Sequence, residues 1–407
     1  MRIVSEDFEK LATNLDISPT MYKYAEDRYK EIAKYLETRG IDAAFYPQGS
    51  FRTGTVVRPL KDGKDADYDI DVVSELLDKK NMVSPANVKS EVGAALKGSQ
   101  IYAPMLRPED DRCWTLEYKA IISGIGFNMD IVPCVHECDE TITKLVSLGV
   151  PGDFAKCAIA ITERTTQKQY HWRASNPEGY GCWFDKINAP FLQLNLKEKK
   201  LKLLNENRNL FMATATIDDV PDYYIRSTLQ RAIQILKRHR DIFYSRADKS
   251  GELRPASVII TTLAAQIAQR SPTASIEGLL QHISNGLSEY GELLKGHRPL
   301  NEAFWGEKNY ITHTKDKWYI PNPVNPEDNY ADSWTNATAQ LFFKWVDAVQ
   351  LDLGQVPALN ETNYLSGLQR GLGTDFVNES LILPSTLYAN AASKSKELSH
   401  PTKPWGI

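Results

Sequence analysis

Asp69 and Asp71 stand two residues apart in the run Asp67-Tyr68-Asp69-Ile70-Asp71-Val72-Val73. In a strand such residues share a face, so both carboxylates point one way while Ile70 and Val72 are buried on the other. Two carboxylates held that close repel unless a cation sits between them. Hard oxygen donors suit Mg²⁺, which binds through one or two carboxylates together with substrate phosphates; Mn²⁺ is expected to substitute for it. Upstream, Gln48-Gly49-Ser50 offers a small turn whose backbone N–H groups could cradle a triphosphate. A third carboxylate, Asp130, lies in Gly126-Phe127-Asn128-Met129-Asp130-Ile131-Val132-Pro133, where alternation again reads as a strand. Residues 114–122 alternate too, and Ser123-Gly124 supplies a hairpin turn between the two.

A lone Asp-x-Asp is a weak signal, and 61–67 reads as a solvated loop to which Asp67 could belong. The ordered set of Gly-Ser, Asp-x-Asp and a third strand-borne Asp is much stronger. It points to nucleotidyl transfer at two metal ions, one activating the attacking hydroxyl and one holding the departing pyrophosphate. The catalytic and metal-binding candidates are Asp69, Asp71 and Asp130, with Gly49 and Ser50 at the phosphates. Arg52 and Thr53 follow closely enough to contact phosphate or to brace the turn.

The elements that must hold these groups can be read from periodicity. Residues 19–39 form a helix with Tyr22, Ala25, Tyr29, Ile32, Ala33 and Leu36 on one face and Gly40 as C-cap. Residues 41–46 make the first strand, leading into the Gly49-Ser50 turn. Ser84-Pro85 opens a helix that runs to about Lys97-Gly98, with Ser as N-cap and Pro at the first helical position. This mixture suits a small mixed sheet. From about residue 205 the pattern turns helical, over 222–244, 256–269, 276–294 and 334–351, whereas 305–332 reads as loop. The expected division is a catalytic lobe at 1–205, a helical lobe at 206–390 closing the cleft, and a flexible tail at 391–407.

Composition sets bounds on function. At 407 residues the chain can build two lobes with sizeable cores. A net charge of −4 argues against nucleic acid as an obligate partner. No apolar run of transmembrane length is present, so no membrane partner is expected and the location is read as cytoplasmic. Five irregularly spaced cysteines argue against a disulfide framework. Cys134-Val135-His136-Glu137-Cys138 lacks a second close pair to complete a tetrahedral site, so no structural zinc is expected.

Gln48-Gly49-Ser50-Phe51-Arg52-Thr53-Gly54-Thr55, then Arg58-Pro59, Asp69-x-Asp71 and Asp130, resembles the signature of the polymerase-beta-type nucleotidyltransferases. More narrowly the chain resembles the bacterial cyclic-oligonucleotide synthases (CD-NTases), relatives of cyclic GMP-AMP synthase and oligoadenylate synthase. Three further stretches carry that likeness: Ser175-Asn176-Pro177-Glu178-Gly179-Tyr180 with Trp183-Phe184; the helix from Leu229 to Asp241; and Asn322-Pro323-Val324-Asn325-Pro326-Glu327-Asp328-Asn329. The match extends over about 45–345.

The resemblance implies an α+β fold, with a polymerase-beta-like lobe on a mixed sheet and an oligoadenylate synthase-like helical lobe. It implies NTP substrates, ATP among them, condensed into a cyclic di- or trinucleotide with release of pyrophosphate. By the same likeness the product activates a separate downstream effector in bacterial antiphage (CBASS) signalling, and the C-terminal tail meets a regulatory or conjugating partner. Gln48 joins the nucleotide-binding turn as part of the family's opening motif. Lys237 would reach the donor triphosphate and Ser257 would touch phosphate. For Lys237 a basic, solvated helix end is the alternative, and that reading is preferred for Arg238 and Arg240; for Ser257 the alternative is a helix N-terminal hydroxyl. His171, Trp172 and Arg173 could stack a base, with Trp172 read as core. Two other functions remain open: adding a nucleotide to an RNA, protein or small-molecule acceptor, and a non-catalytic nucleotide sensor.

Overall fold

The computed structural model describes residues 4–58, 60–61, 64–65, 67–122, 125–211, 217, 220–271, 273, 275–297, 309–315, 317–354 and 361–381. The expected tail at 391–407 and the Ser123-Gly124 turn lie outside the described residues.

Six strands form the principal sheet. They are β1 (Ala43–Pro47), β4 (Tyr68–Lys79), β5 (Trp114–Ile122), β6 (Ile125–His136), β7 (Ile159–Arg164) and β8 (Tyr170–Ser175), with the two-residue pair β2 (Leu60–Lys61) and β3 (Lys64–Asp65) set apart. The order is β1-β4-β6-β7-β8, and β5 pairs with β6 alone. β4 and β6 run parallel, whereas β1, β5 and β7 are antiparallel to their neighbours, so the sheet is mixed. The alternation seen in the sequence decides its faces. Tyr68, Ile70 and Val72 of β4 and Met129 and Ile131 of β6 are buried against α2 (Pro19–Thr38) and α4 (Pro85–Lys97), through Met21, Ile32, Leu36, Val88, Val92 and Leu96. The opposite face carries the acidic residues. Ser84 caps α4 as expected, accepting from the Asn87 N–H.

The helical half is built around α9 (Thr228–Ala247), whose Leu229, Ala232, Ile233 and Leu236 are fully buried. Around it lie α10 (Ser257–Ala268), α11 (Ile276–Glu289) and α12 (Asn336–Val349). The first helix, α1 (Val4–Leu15), comes from the head of the chain yet packs Phe8, Leu11, Ala12 and Leu15 into this core. No helix of the described residues is long and apolar enough to cross a membrane.

Several sequence expectations need correction. The helix expected from 222 begins instead at Thr228, because Ser227 forms a capping box with Gln230; Asp222–Tyr224 is a single 3₁₀ turn. The stretch 305–332, expected as loop, contains two hairpins in its described part: β9 (Thr312–Thr314) with β10 (Lys317–Tyr319), and β11 (Pro321–Asn322) with β12 (Asn325–Asn329). The basic run on α9 is not a solvated end. Lys237, Arg238, His239 and Arg240 are all buried, and the helix continues two turns past them.

Candidate active site

Parallel pairing of β4 with β6 sets Asp71 directly opposite Asp130 and Asp69 opposite Asn128. Each outer carboxylate is bound by its cross-strand neighbour. The Asn128 amide donates to Asp69 Oδ1 at 3.0 Å, and the Thr115 hydroxyl donates to Asp130 Oδ1 at 2.5 Å. Asp71 lies deepest. Burial, and then the charges of Asp130 and Asp69, push its carboxyl up to about 7. Burial also raises Asp130, against the hydrogen bond from Thr115.

An all-oxygen donor set that repels itself fits a hard divalent cation, which would supply charge neutralisation and polarise the reacting oxygens. Asp69, Asp71 and Asp130 are the residues that would hold it. Among the described residues no three His, Cys, Asp or Glu side chains are already gathered as a ligand set, and Asp130 is engaged with Thr115.

The Gly-Ser segment is pinned to the same strand. The Gln48 N–H donates to the Asp71 carbonyl at 2.8 Å, and Gly49 then opens the four-residue helix α3 (Gly49–Arg52) at a φ of +61°. A Cβ at Gly49 would stand 2.8 Å from Asp71 Oδ2, so only glycine lets the chain pass this close to the carboxylate. Beyond α3 the chain is gripped by one ridge of α9. Gln230 donates to the Thr53 carbonyl at 2.9 Å, Gln234 to Val56 at 2.7 Å, and the Lys237 ammonium to the Thr55 carbonyl and hydroxyl at 3.0 and 2.9 Å. Their spacing brings all three to one side of the helix.

Between the acidic sheet face and the helical half lies a cleft of 690 Å³. Gly49, Ser50, Asp69, Asp71, Lys237 and Ser257 all line it; Gln48, Arg52 and Asp130 do not. Ser257 Oγ accepts from Arg240 at 2.9 Å, which places that hydroxyl in an arginine-bearing wall at the start of α10. The Ser175–Tyr180 and Asn322–Asn329 stretches singled out in the sequence meet here. The Asn176 amide donates to the Phe154 carbonyl at 2.9 Å and to the Val324 carbonyl at 3.4 Å, and Ser175, Tyr180 and Asn322 face the cleft. Arg240, Asp241, Arg254 and Tyr330 also line it, and sequence reasoning did not place them there.

Lys237 is fully enclosed, and burial is the main reason its ammonium is lowered to about 7 from 10.5. A base with a depressed folded value takes up less proton than the unfolded chain, so stability falls as pH drops from 10.5 towards 7. Denaturant midpoints of ligand-free protein are therefore expected to rise between about pH 7 and about pH 9, and Lys237→Met is expected to flatten that slope. An unchanged slope in the variant would mean that Lys237 is not the responsible group.

Arg52 lies elsewhere. Its guanidinium binds both oxygens of Glu178 at 3.1 Å and reaches Asp185 at 2.9 Å, bracing α3 against α7 (Pro177–Gln193). Arg52→Ala is expected to lower stability by about 2 kcal/mol while leaving the apparent KM for NTP within twofold. A selective rise in KM would restore the phosphate role. Trp172 is on β8 and packs partly on the sheet core, and Arg173 pairs with Glu163 at 3.3 Å; His171, Trp172 and Arg173 are all outside the cleft lining. Cys134 is buried in a small apolar cluster, and Glu137 pairs with Lys80.

A mixed sheet with paired carboxylates facing a cleft under a helical lobe defines a nucleotidyltransferase architecture, and comparison with known proteins agrees. The Second Messenger Oligonucleotide or Dinucleotide Synthetase domain matches residues 1–145. A c-di-GMP synthase of Roseivirga ehrenbergii is 26% identical over 344 residues, covering 82% of this chain and 73% of that protein. Among solved structures, the Bradyrhizobium diazoefficiens CD-NTase CdnG in complex with GTP superposes with a TM-score of 0.63 at 21% identity, covering 93% of this chain and 98% of the other. The E. coli MS115-1 CdnC:HORMA-deltaN complex gives 0.57 at 12% identity, covering 91% and 98%. The resemblance read from the sequence is borne out: residues 1–145 match that synthetase domain, and the chain has the fold of solved CD-NTase structures.

Proposed function

We propose that this protein condenses NTPs into a cyclic dinucleotide and releases pyrophosphate. The observation that best supports this is that Asp69 and Asp71 line the same cleft as Gly49 and Ser50, with Asp130 set directly across the strands from Asp71. Mg²⁺, or Mn²⁺ in its place, would neutralise those carboxylates and the triphosphate. The chain itself supplies the rest. Gly49 and Ser50 bring main chain to the phosphates, Arg240 offers positive charge on the facing wall, and Lys237 stands beside it. Asn128 and Thr115 orient the carboxylates. In each transfer an acceptor ribose hydroxyl forms a bond to the α-phosphorus as the bond to the pyrophosphate oxygen breaks, and a second transfer within the linear intermediate closes the ring.

ATP belongs among the substrates in this reading, and the reaction takes place in the cytoplasm without a nucleic-acid cofactor. The product acts on a downstream effector in antiphage signalling, and a regulatory protein partner accompanies the synthase, a reading supported by the complex of CdnC with HORMA-deltaN. Incubating purified protein with labelled NTPs and Mg²⁺ tests the proposal. A phosphatase-resistant product with the mass of a cyclic dinucleotide is expected. Only linear chains, or nucleotide attached to an RNA, protein or small-molecule acceptor, would replace it with the acceptor-modifying reading.

A further inference from the structure

Two acidic side chains line the cleft apart from Asp69 and Asp71, and they differ in their partners. Asp241 is neutralised, with Arg240 at 2.7 Å and Arg254 at 3.6 Å. Asp328, on β12, has a single uncharged partner among the described residues: the Asn322 amide, which donates to Oδ2 at 3.1 Å. That amide cannot turn over without loss. Asn322 is buried, and its Oδ1 already accepts the Val324 N–H at 3.0 Å, which commits its NH₂ to Asp328. The preceding residue, Glu327, pairs instead with Lys144 at 2.6 Å. β12 thus holds one oriented carboxylate in the cleft wall with no side-chain cation paired to it among the described residues.

A bare carboxylate in the wall of a cleft that must admit a triphosphate is unfavourable unless the ligand brings donors to it. An ionised carboxylate only accepts. Of the common bases, guanine alone presents two adjacent N–H donors, N1–H and the 2-amino group, matching the two oxygens. Adenine and cytosine set a ring lone pair beside their amino group, and uracil flanks its one N–H with carbonyls. Resting on the synthase reading above, we propose that Asp328, held by Asn322, reads the Watson–Crick edge of guanine, so that GTP is the preferred substrate at this position.

Binding tests this without requiring turnover. Displacement of a fluorescent GTP analogue from the purified chain, with Ca²⁺ present to suppress chemistry, is measured for GTP, ITP and ATP. ITP lacks only the 2-amino group, and it is expected to bind at least about tenfold more weakly than GTP. Folded Asp328→Asn is expected to shrink the GTP-over-ATP ratio at least about tenfold. Equal binding of GTP and ITP by the wild-type chain, or an unchanged ratio in the variant, overturns the assignment. GTP-selective binding by a chain that makes no cyclic product supports Asp328 as the reader and removes the synthase reading. Base-blind binding by a chain that does cyclise does the reverse.

Discussion

Asparagine at Asp71 is expected to slow nucleotide condensation by at least ~10³-fold while making the cation-free protein more stable at pH 8. Both effects have one cause. Asp71 is the most enclosed of the three acids and sits opposite Asp130, so its charge is useful only when a cation answers it. Its folded value of about 7 lies above the ordinary 3.8. A group raised in this way lends the folded state stability that is complete below 3.8 and is lost as pH climbs through 7. The stabilisation of Asp71→Asn over wild type should therefore be absent near pH 4, grow towards pH 7 and level off above it. Divalent cation should raise the melting temperature of the wild type more than that of the variant. Wild-type turnover by Asp71→Asn, or identical cation-free melting at pH 8, would remove Asp71 from the site.

Gly49→Ala is expected to reduce turnover by more than ~10²-fold for every NTP alike, since misplacement by about an ångström is enough for such a loss. The new methyl carbon would sit 2.8 Å from Asp71 Oδ2, and the φ of +61° strains any L side chain there. The Gln48 hydrogen bond to β4 prevents the turn from backing away. The displaced atom is then the Asp71 carboxylate, or the main chain proposed to meet phosphate, and in that reading both serve the reaction rather than base choice. Turnover within tenfold of wild type would show that the turn yields without harm. A change in base preference with rate preserved would put the base, not the triphosphate, at Gly49.

How far the sequence carried the site depends on the distance between partners. Asp69 and Asp71 announce their shared face through Ile70 and Val72, a two-residue relationship, and the Ser84-Pro85 cap is equally local. That Asp130 falls opposite Asp71 and not one residue away is a matter of register between strands about sixty positions apart, which no local pattern encodes. Arg52 is the plainest case. Its position after the Gly-Ser turn allowed either a phosphate contact or a brace for the turn, and only the fold shows that Glu178, 126 residues on, takes its guanidinium. On α9, charge at helical spacing is the same signal whether the ridge faces water or a cleft. Gln230, Gln234 and Lys237 face the main chain at 53–56, and Arg240 faces the cleft, because α1, α10 and α11 occupy the other sides. Tyr330, just after the β11–β12 hairpin, and Arg254, in a loop, owe their place in the cleft to the packing of the whole helical half.

The central position of β6 also governs how the molecule is made. β4 and β1 leave the ribosome early and can pair at once, but the parallel partner that completes the acidic face is synthesised only after α4 and β5. Closing that long loop is slow for entropic reasons, and it must also bring Asp130 against Asp71. The charge repulsion of the finished site therefore acts on the step that joins β6 to the β1–β4 pair. A nascent chain stalled before β6 carries Asp69 and Asp71 without their counterpart, and divalent cations in the medium should speed refolding as well as support turnover.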